Sequence, residues 1–284
     1  MILVLGATGM LGQALMREAS GRGIKAVGAA RHDSEIILDA GNEAALGDAV
    51  IRLKPELVIN AAALTDMDAC EADPGAAYLT NARPAAILAE ACRRLEIGFV
   101  YVSTDHYYSG DGDNKHDEEM PVHPVNEYAR SKYAGEAFAL TYRRSLVVRT
   151  NIVGRRGWVG RPTFLEWAMD SLERRKPLRL FDDFFTSPID VASCAKAIFD
   201  LVAKDARGVI NVAGREVSSK RRFVRALADQ MDIILDWAET ASVRELTTHR
   251  AESLGLDVTR AEKLLGYAMP DTAQVVRSAL KDGL

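Results

Sequence analysis

Tyr128 and Lys132 stand four residues apart, a spacing that on a helix puts a phenol and an ammonium on one face. Upstream, the apolar run Phe99-Val-Tyr-Val102 ends in Ser103-Thr-Asp105, so the Thr104 hydroxyl is expected at the carboxyl edge of a strand. A hydroxyl, a phenol and an ammonium gathered at one point suit proton transfer to a carbonyl oxygen. Thr104 would hold and orient that oxygen, and Tyr128 would give it a proton. A phenol's ordinary pKa of about 10 is high for proton shuttling near neutrality. A neighbouring ammonium favours the phenolate, so Lys132 is expected to lower it. Taken alone the pair is weak: Tyr128 can be an ordinary amphipathic tyrosine, Lys132 a solvated lysine and Thr104 a strand-end cap. The chemistry requires a hydride donor and a pocket from the rest of the chain.

The opening of the chain offers the donor's site. Ile2-Leu-Val-Leu5 is an apolar run fit for a strand buried on both faces. Gly6-Ala-Thr-Gly9-Met-Leu-Gly12 follows, with Leu11, Leu15 and Met16 then at helical spacing. Strand, glycine turn and helix in this order form a dinucleotide-binding opening. Gly6 permits the turn, Gly9 lets backbone approach a pyrophosphate, Gly12 lets helix and strand pack closely, and the helix N-terminus offers N–H groups to phosphate. Gly6, Gly9 and Gly12, with Thr8 inside the turn, are therefore candidate cofactor-binding residues, and Lys132 gains a second task, hydrogen bonding the ribose of a nicotinamide.

A second strand, Lys25–Ala30, ends in Arg31, where an arginine accommodates a 2′-phosphate and an acidic residue would hold a ribose hydroxyl. Arg31 points to NADP(H), with NAD(H) left open should it be only a surface arginine. Asp39, after the short strand Ile36–Leu38, could meet the adenine edge or cap the helix expected over 42–53. A strand at Leu57–Ile59 leads into Asn60-Ala61-Ala62-Ala63, small residues against which a flat cofactor can lie or which simply fill the core. Pro74 is expected to open one helix that carries Asn81, a candidate cofactor-binding residue, and runs to Arg94. Val102 closes the next strand. Residues 105–125 show no periodicity, a length expected of a lid or binding loop. A helix over 126–142 carries the Tyr/Lys pair, and Ser145–Val148 supplies a sixth strand.

Alternating strand and helix argue for an α/β fold, a Rossmann-type doubly wound parallel sheet with right-handed crossovers, over residues 1–150. Residues 187–212, with an apolar helical stripe and the strand-like Gly208–Val212, are expected to return to it. Residues 151–186 and 213–284 are expected to form a smaller C-terminal α+β substrate-binding lobe, with a helical, short-looped tail. Within it Arg155, Arg156 and Arg161 form a basic loop that could clasp a diphosphate or could be a solvated surface. Lys220-Arg-Arg222 with Arg225 reads as an exposed helix face.

The balance of the 284 residues is that of an ordinary globular chain, 48% apolar and 27% charged. A net charge of −4 gives no reason to expect nucleic acid or an anionic membrane as partner. No apolar run approaches about 18 residues, and no signal peptide is expected ahead of a strand that begins at Ile2. Cys70, Cys92 and Cys194 lack CxxC or Cys/His spacing, and neither the five histidines nor the acidic residues between 111 and 119 have ligand spacing. The expectations are reduced cysteines, no metal and a cytoplasmic location.

Gly6-x-x-Gly9-x-x-Gly12, Asn60-Ala-Ala-Ala63, Ser103-Thr-Asp105 and Tyr128-x-x-x-Lys132 together resemble the extended short-chain dehydrogenase/reductases. Thr65-x-x-Asp68-x-x-Glu71, Asn81 and Tyr133-Ala-Gly-Glu136 narrow the resemblance to the dTDP-4-dehydrorhamnose reductase family. It implies Thr104, Tyr128 and Lys132 as catalytic residues and a nucleotide-sugar as small-molecule substrate. Gly9, Met10, Leu11, Ala62, Ala63 and Val102 would line the cofactor, and Asp105 would join Thr104 at the substrate with Ile152, Arg155 and Arg161. A homodimer is compatible with this. The chain departs from the family pattern in three places. His106-Tyr-Tyr-Ser109 stands where the family reads Tyr-Val-Phe-Asp, Arg149-Thr-Asn-Ile152 where it often reads Arg-Thr-Ser-Trp, and Asp183-Phe-Phe-Thr-Ser-Pro-Ile189 where it reads Asp-Gln-x-Gly-x-Pro-Thr. All three are expected along the substrate. The residues and the resemblance together imply an NADP(H)-preferring reductase of a 4-keto nucleotide-diphosphate sugar or a related keto sugar. Its rivals are an NAD-retaining epimerase or dehydratase and a non-catalytic NADP-binding subunit like the β subunit of methionine adenosyltransferase.

Overall fold

Unbroken apolar runs become central strands here because neighbours cover both their edges and both their faces. The computed structural model describes residues 1–281. In chain order, β1 (Ile2–Leu5), α1 (Met10–Gly21), β2 (Ala26–Ala30), β3 (Ile36–Ile37), α2 (Glu43–Leu53), β4 (Leu57–Asn60), α3 (Met67–Ala72), α4 (Pro74–Asn81), α5 (Arg83–Leu95) and β5 (Gly98–Val102) come first. β6 (Lys115–His116), α6 (Glu127–Leu140), β7 (Ser145–Arg149) and β8 (Ile152–Val153) follow. Then come α7 (Phe164–Glu173), β9 (Arg179–Phe181), β10 (Phe185–Thr186), β11 (Ile189–Asp190), α8 (Val191–Ala203) and β12 (Gly208–Asn211). The chain ends with β13 (Ser218–Ser219), α9 (Lys220–Gln230), β14 (Glu239–Ala241), β15 (Ser253–Leu256), α10 (Thr259–Leu265) and α11 (Thr272–Lys281).

The main sheet has seven strands in the order β12-β7-β5-β4-β1-β2-β3, every pair parallel. From β1 the chain steps outward to β2 and β3, then crosses to β4 on the other side. That reversal opens a crevice at the carboxyl ends of β1 and β4, where open α/β sheets bind ligands. One face is covered through Leu11 and Leu15 of α1 and Ile198 and Phe199 of α8. The other is covered through Leu46 and Val50 of α2, Leu88 and Cys92 of α5 and Ala139 of α6. The sheet is therefore doubly wound. A four-stranded sheet, β13-β10-β15-β6, and the pairs β8–β11 and β9–β14 lie outside it. α7, α9 and α11 pack together through Leu165, Phe223, Leu227 and Val276.

Helix starts follow their caps. Asn42, Asn126, Thr163 and Ser219 each accept from a backbone N–H in the first turn of the helix they precede. Asp39 caps no helix; its carboxylate accepts from Gly41 N two residues on. The single helix expected from Pro74 to Arg94 is instead two, α4 and α5, broken at Ala82. Pro84 explains this, since it lacks an N–H and its ring crowds the preceding turn. The stretch 105–125 is no free lid: residues 105–108 are buried, and β6 pairs with β15. The tail is not purely helical, since β14 and β15 are strands that exist only through partners distant in sequence. No helix among the described residues is long and apolar enough to cross a membrane. All three cysteines are free and buried.

Candidate active site

The glycine turn after β1 is packed too closely for side chains. Gly6 has φ +77°, and a Cβ there would lie 2.7 Å from Ala62 N. A Cβ on Gly12 would lie 2.0 Å from Gly6 O. Gly9 is the N-cap of α1 and supplies no side-chain cap, so no capping side chain takes the first-turn N–H groups. Gln13 pins the turn by donating to Thr8 O (2.9 Å) and to Arg156 O (3.1 Å). A close-packed glycine turn with uncapped donors fits a dinucleotide pyrophosphate. Met10 is half-buried and Leu11 buried beside it; Ala61 and Ala62 are half-buried and Ala63 exposed at the end of β4. Arg31 is exposed at the end of β2 and makes no hydrogen bond or ion pair among the described residues.

Asn81 serves the site through the backbone. Its amide donates to Leu64 O (3.0 Å) and Ser131 Oγ (2.9 Å) and accepts from Leu64 N (2.8 Å). It therefore fixes the segment that follows Ala61–Ala63 against α6.

At the carboxyl edge of β5, Thr104, Asp105, His106, Tyr128 and Lys132 are all buried. The Thr104 hydroxyl donates to Asp105 Oδ1 (3.4 Å) and accepts from His106 N (3.3 Å). Asn151 donates to Asp105 Oδ2 (2.7 Å). Lys132 Nζ donates to Val102 O (2.7 Å) and lies 4.3 Å from the centre of the Tyr101 ring. Its ammonium is thus directed at the strand end, and burial pulls it down to about 7, with Glu136 opposing. Burial drives the Tyr128 phenol well above its ordinary value; a hydrogen bond with Thr104 opposes that and Asp105 adds to it. The expectation that Lys132 lowers the phenol is not met, because desolvation dominates and the ammonium is engaged with Val102. The phenol is held protonated, the form a proton donor requires.

Burial also pushes the Asp105 carboxyl up to about 7, against Asn151 and Lys220, and pulls the His106 imidazole down to about 3, with Lys220 and Arg250 adding to that. Asp105 has a measurable consequence. Between its ordinary value of 3.8 and about 7, the folded protein keeps a proton that the unfolded chain has lost. This contribution to stability is therefore present at acid pH, falls as pH rises through that window and is flat above it. Asp105→Asn keeps an acceptor for Asn151 and should be more stable than wild type above pH 7, by about 4 kcal/mol. The gain should fade towards pH 4 in urea melts, and a gain independent of pH would contradict the assignment.

The departures from the family pattern divide. His106 faces the site, its ring edge-on to Tyr128 at 5.6 Å and 6.2 Å from the Phe184 ring. Tyr107 and Tyr108 do not line it; they belong to a buried network. Glu136 accepts from Arg149 (2.8 Å) and from Ser103 Oγ (2.6 Å), Arg149 donates to Tyr108 Oη (3.1 Å), and Tyr107 Oη bonds Ser103 Oγ (3.0 Å). Ile152 is half-buried in β8 and pairs with Ile189 of β11. The arginines of the loop have separate partners. Arg155 donates to Leu280 O (3.2 Å), Arg156 lies over the Trp158 ring (4.2 Å) and bonds Arg161 O, and Arg161 is exposed.

Lys220, expected on an exposed helix face, is instead turned inward, its Nζ 4.3 Å from the Phe164 ring centre and 5.5 Å from that of Phe184. The residue keeps part of its surface exposed, but its ammonium lies among packed atoms, where desolvation pulls it down to about 8 against the pull of Asp105. The signal was present: Lys220 shares a helical stripe with the buried Phe223, Val224, Leu227 and Ala228.

Such a cradle beside a buried Thr/Tyr/Lys set, on a doubly wound parallel sheet, defines a class, the NAD(P)-dependent oxidoreductases of the short-chain type that act on keto and hydroxyl groups. Within that class the chain belongs to the family described as RmlD substrate binding domain, whose model matches residues 1–283. The dTDP-4-dehydrorhamnose reductase of Mycobacterium tuberculosis (strain H37Rv) is 32% identical over 81% of this chain and 75% of that one. A solved structure of a hypothetical dTDP-4-dehydrorhamnose reductase from Sulfolobus tokodaii is 31% identical, with TM-score 0.84 over 94% of this chain and 95% of that one. A dTDP-4-dehydrorhamnose reductase from Bacillus anthracis in complex with NADP shares the fold, with TM-score 0.87 over 98% and 96% of the two chains at 24% identity.

Proposed function

We propose that the protein is an NADP(H)-preferring reductase of a 4-keto nucleotide-diphosphate sugar, with Tyr128 as proton donor. The observation that carries the reading is the buried Thr104/Tyr128/Lys132 set at the carboxyl edge of β5, beside the Gly6–Gly12 cradle. The dinucleotide, when bound, supplies hydride to the carbonyl carbon. Thr104 holds the carbonyl oxygen, and Tyr128 transfers its hydroxyl proton there, leaving an alcohol. Lys132, anchored on Val102 O, keeps donors for the nicotinamide ribose. Asp105 and Ile152 lie on the substrate side. Exposed Arg31, unengaged at the end of β2, supports NADP(H) over NAD(H), and the Bacillus anthracis relative with NADP accords with it.

We divide the chain by role into a dinucleotide-binding part, 1–150 with 187–212, and a substrate-binding lobe, 151–186 with 213–284. Free, buried thiols suit the reducing cytoplasm. The test is consumption of NADPH, read by absorbance, with a panel of dTDP-4-keto-6-deoxy sugars. Turnover with NADPH well above that with NADH is expected. Tight NADPH binding with no turnover on the whole panel contradicts the reading and favours a regulatory subunit. A nicotinamide that co-purifies and is never consumed favours an epimerase.

A further inference from the structure

Residues from three segments that leave the family pattern meet at one wall of the site. Asn151 donates to Asp105 Oδ2 (2.7 Å), His106 lies edge-on to Tyr128, and the His106 and Phe184 rings are 6.2 Å apart. Lys220 completes this wall from the first turn of α9, its ammonium near the rings of Phe164 and Phe184. Among the described residues no hydrogen bond or ion pair uses that ammonium. Two more polar atoms there are buried and unpartnered, Nδ1 of His106 and Nε of Arg250. Lys220 and Arg250 both act electrostatically on His106, which is neutral, and Asp105 is the carboxylate on this side of the site that acts on Lys220. The aromatic faces offset part of the cost of enclosing a cation. A desolvated ammonium with no ion-pair partner, and with only the Asp105 carboxyl acting on it, is still unfavourable, and a ligand that brings a counter-charge relieves it.

We propose that Lys220, supported by Arg250, is a specificity-determining anion site of the substrate pocket, which takes a carboxylate or phosphate oxygen group of the substrate. This rests on the nucleotide-sugar reading above. The anion has two sources of the same chemistry, a carboxylate on the sugar ring or the diphosphate that links it to the nucleoside.

Titration calorimetry on NADPH-loaded enzyme distinguishes them with three ligands that cannot be reduced: dTDP-glucuronate, dTDP-glucose and dTDP. A ring-carboxylate site makes dTDP-glucuronate bind about 10-fold or more tighter than dTDP-glucose, a preference lost in Lys220→Met and kept in Lys220→Arg. A diphosphate site makes Lys220→Met weaken all three ligands alike, by about 10-fold. Either result supports the anion site. The proposal is overturned by Lys220→Met affinities within about twofold of wild type for all three ligands, or by wild type binding none of them. Lys220→Gln, which keeps a polar stem, serves as a second variant if Lys220→Met does not fold. Failure of every 4-keto sugar to consume NADPH removes the reductase reading and leaves these binding differences standing, so the two failures are told apart.

Discussion

Tyr128→Phe is expected to lower kcat for keto-sugar reduction by roughly 10²–10⁴, the usual range for loss of a general acid. The dissociation constant for NADPH should move by less than about threefold, because only a hydroxyl is removed. The ring stays in place, packed with Cys70 and Ala77 on one side and with His106 edge-on. The thermal midpoint should therefore change little. The phenol is the one group beside Thr104 that burial holds fully protonated at neutral pH, so no neighbour replaces it as donor. Asp105, near 7, is the nearest rival. If it were the donor, Tyr128→Phe would keep most of its activity and Asp105→Asn would lose it. Parallel losses of kcat and thermal midpoint would assign Tyr128 a packing role alone.

The largest effect on stability is expected at Glu136. Its carboxylate takes the Arg149 guanidinium and the Ser103 hydroxyl in a region closed to solvent, with both charged side chains buried. Glu136→Ala leaves the guanidinium without its counter-charge, and breaking a buried pair in this way costs about 3–5 kcal/mol. For a chain of this size that lowers the thermal midpoint by roughly 10 °C. Arg149 keeps its bond to Tyr108 but loses the partner that neutralises it. Replacing both members, as Glu136→Gln with Arg149→Met, should recover much of the loss, since the pair's own net contribution is small once desolvation is counted. A double variant as unstable as the sum of the two single ones would show that the residues act independently. Ser103 adjoins Thr104, so Glu136→Ala should also lower kcat.

What could be read from the sequence is what depends on local pattern. The run Ile2–Leu5 and the glycines at 6, 9 and 12 specify strand, turn and helix within one short segment, and the structure makes them so. The four-residue spacing of Tyr128 and Lys132 needs only a helix, and Asn126 starts one. Features that depend on distant partners were hidden. β6 and β15 are strands because they pair across the length of the second half, with no alternation to reveal them. The direction of the Tyr128 shift does not follow from spacing, which shows that two side chains share a face, not where an ammonium points; Val102 O takes it. Tyr107 and Tyr108 looked like pocket residues beside Asp105, yet an unseen partner, Arg149, draws them into the core. Lys220 was legible in principle from its phase against Phe223 and Val224, but a run of three basic residues masked it.

The most direct test of the central claim uses NADPH carrying deuterium at the transferable C4 position, with a dTDP-4-keto-6-deoxy sugar as substrate and mass spectrometry of the product. The expected result is an alcohol at C4 that contains the deuterium, formed mole for mole with NADP⁺, and lost when Tyr128 is phenylalanine. An unlabelled or merely epimerised sugar, with the labelled NADPH unchanged, would contradict it.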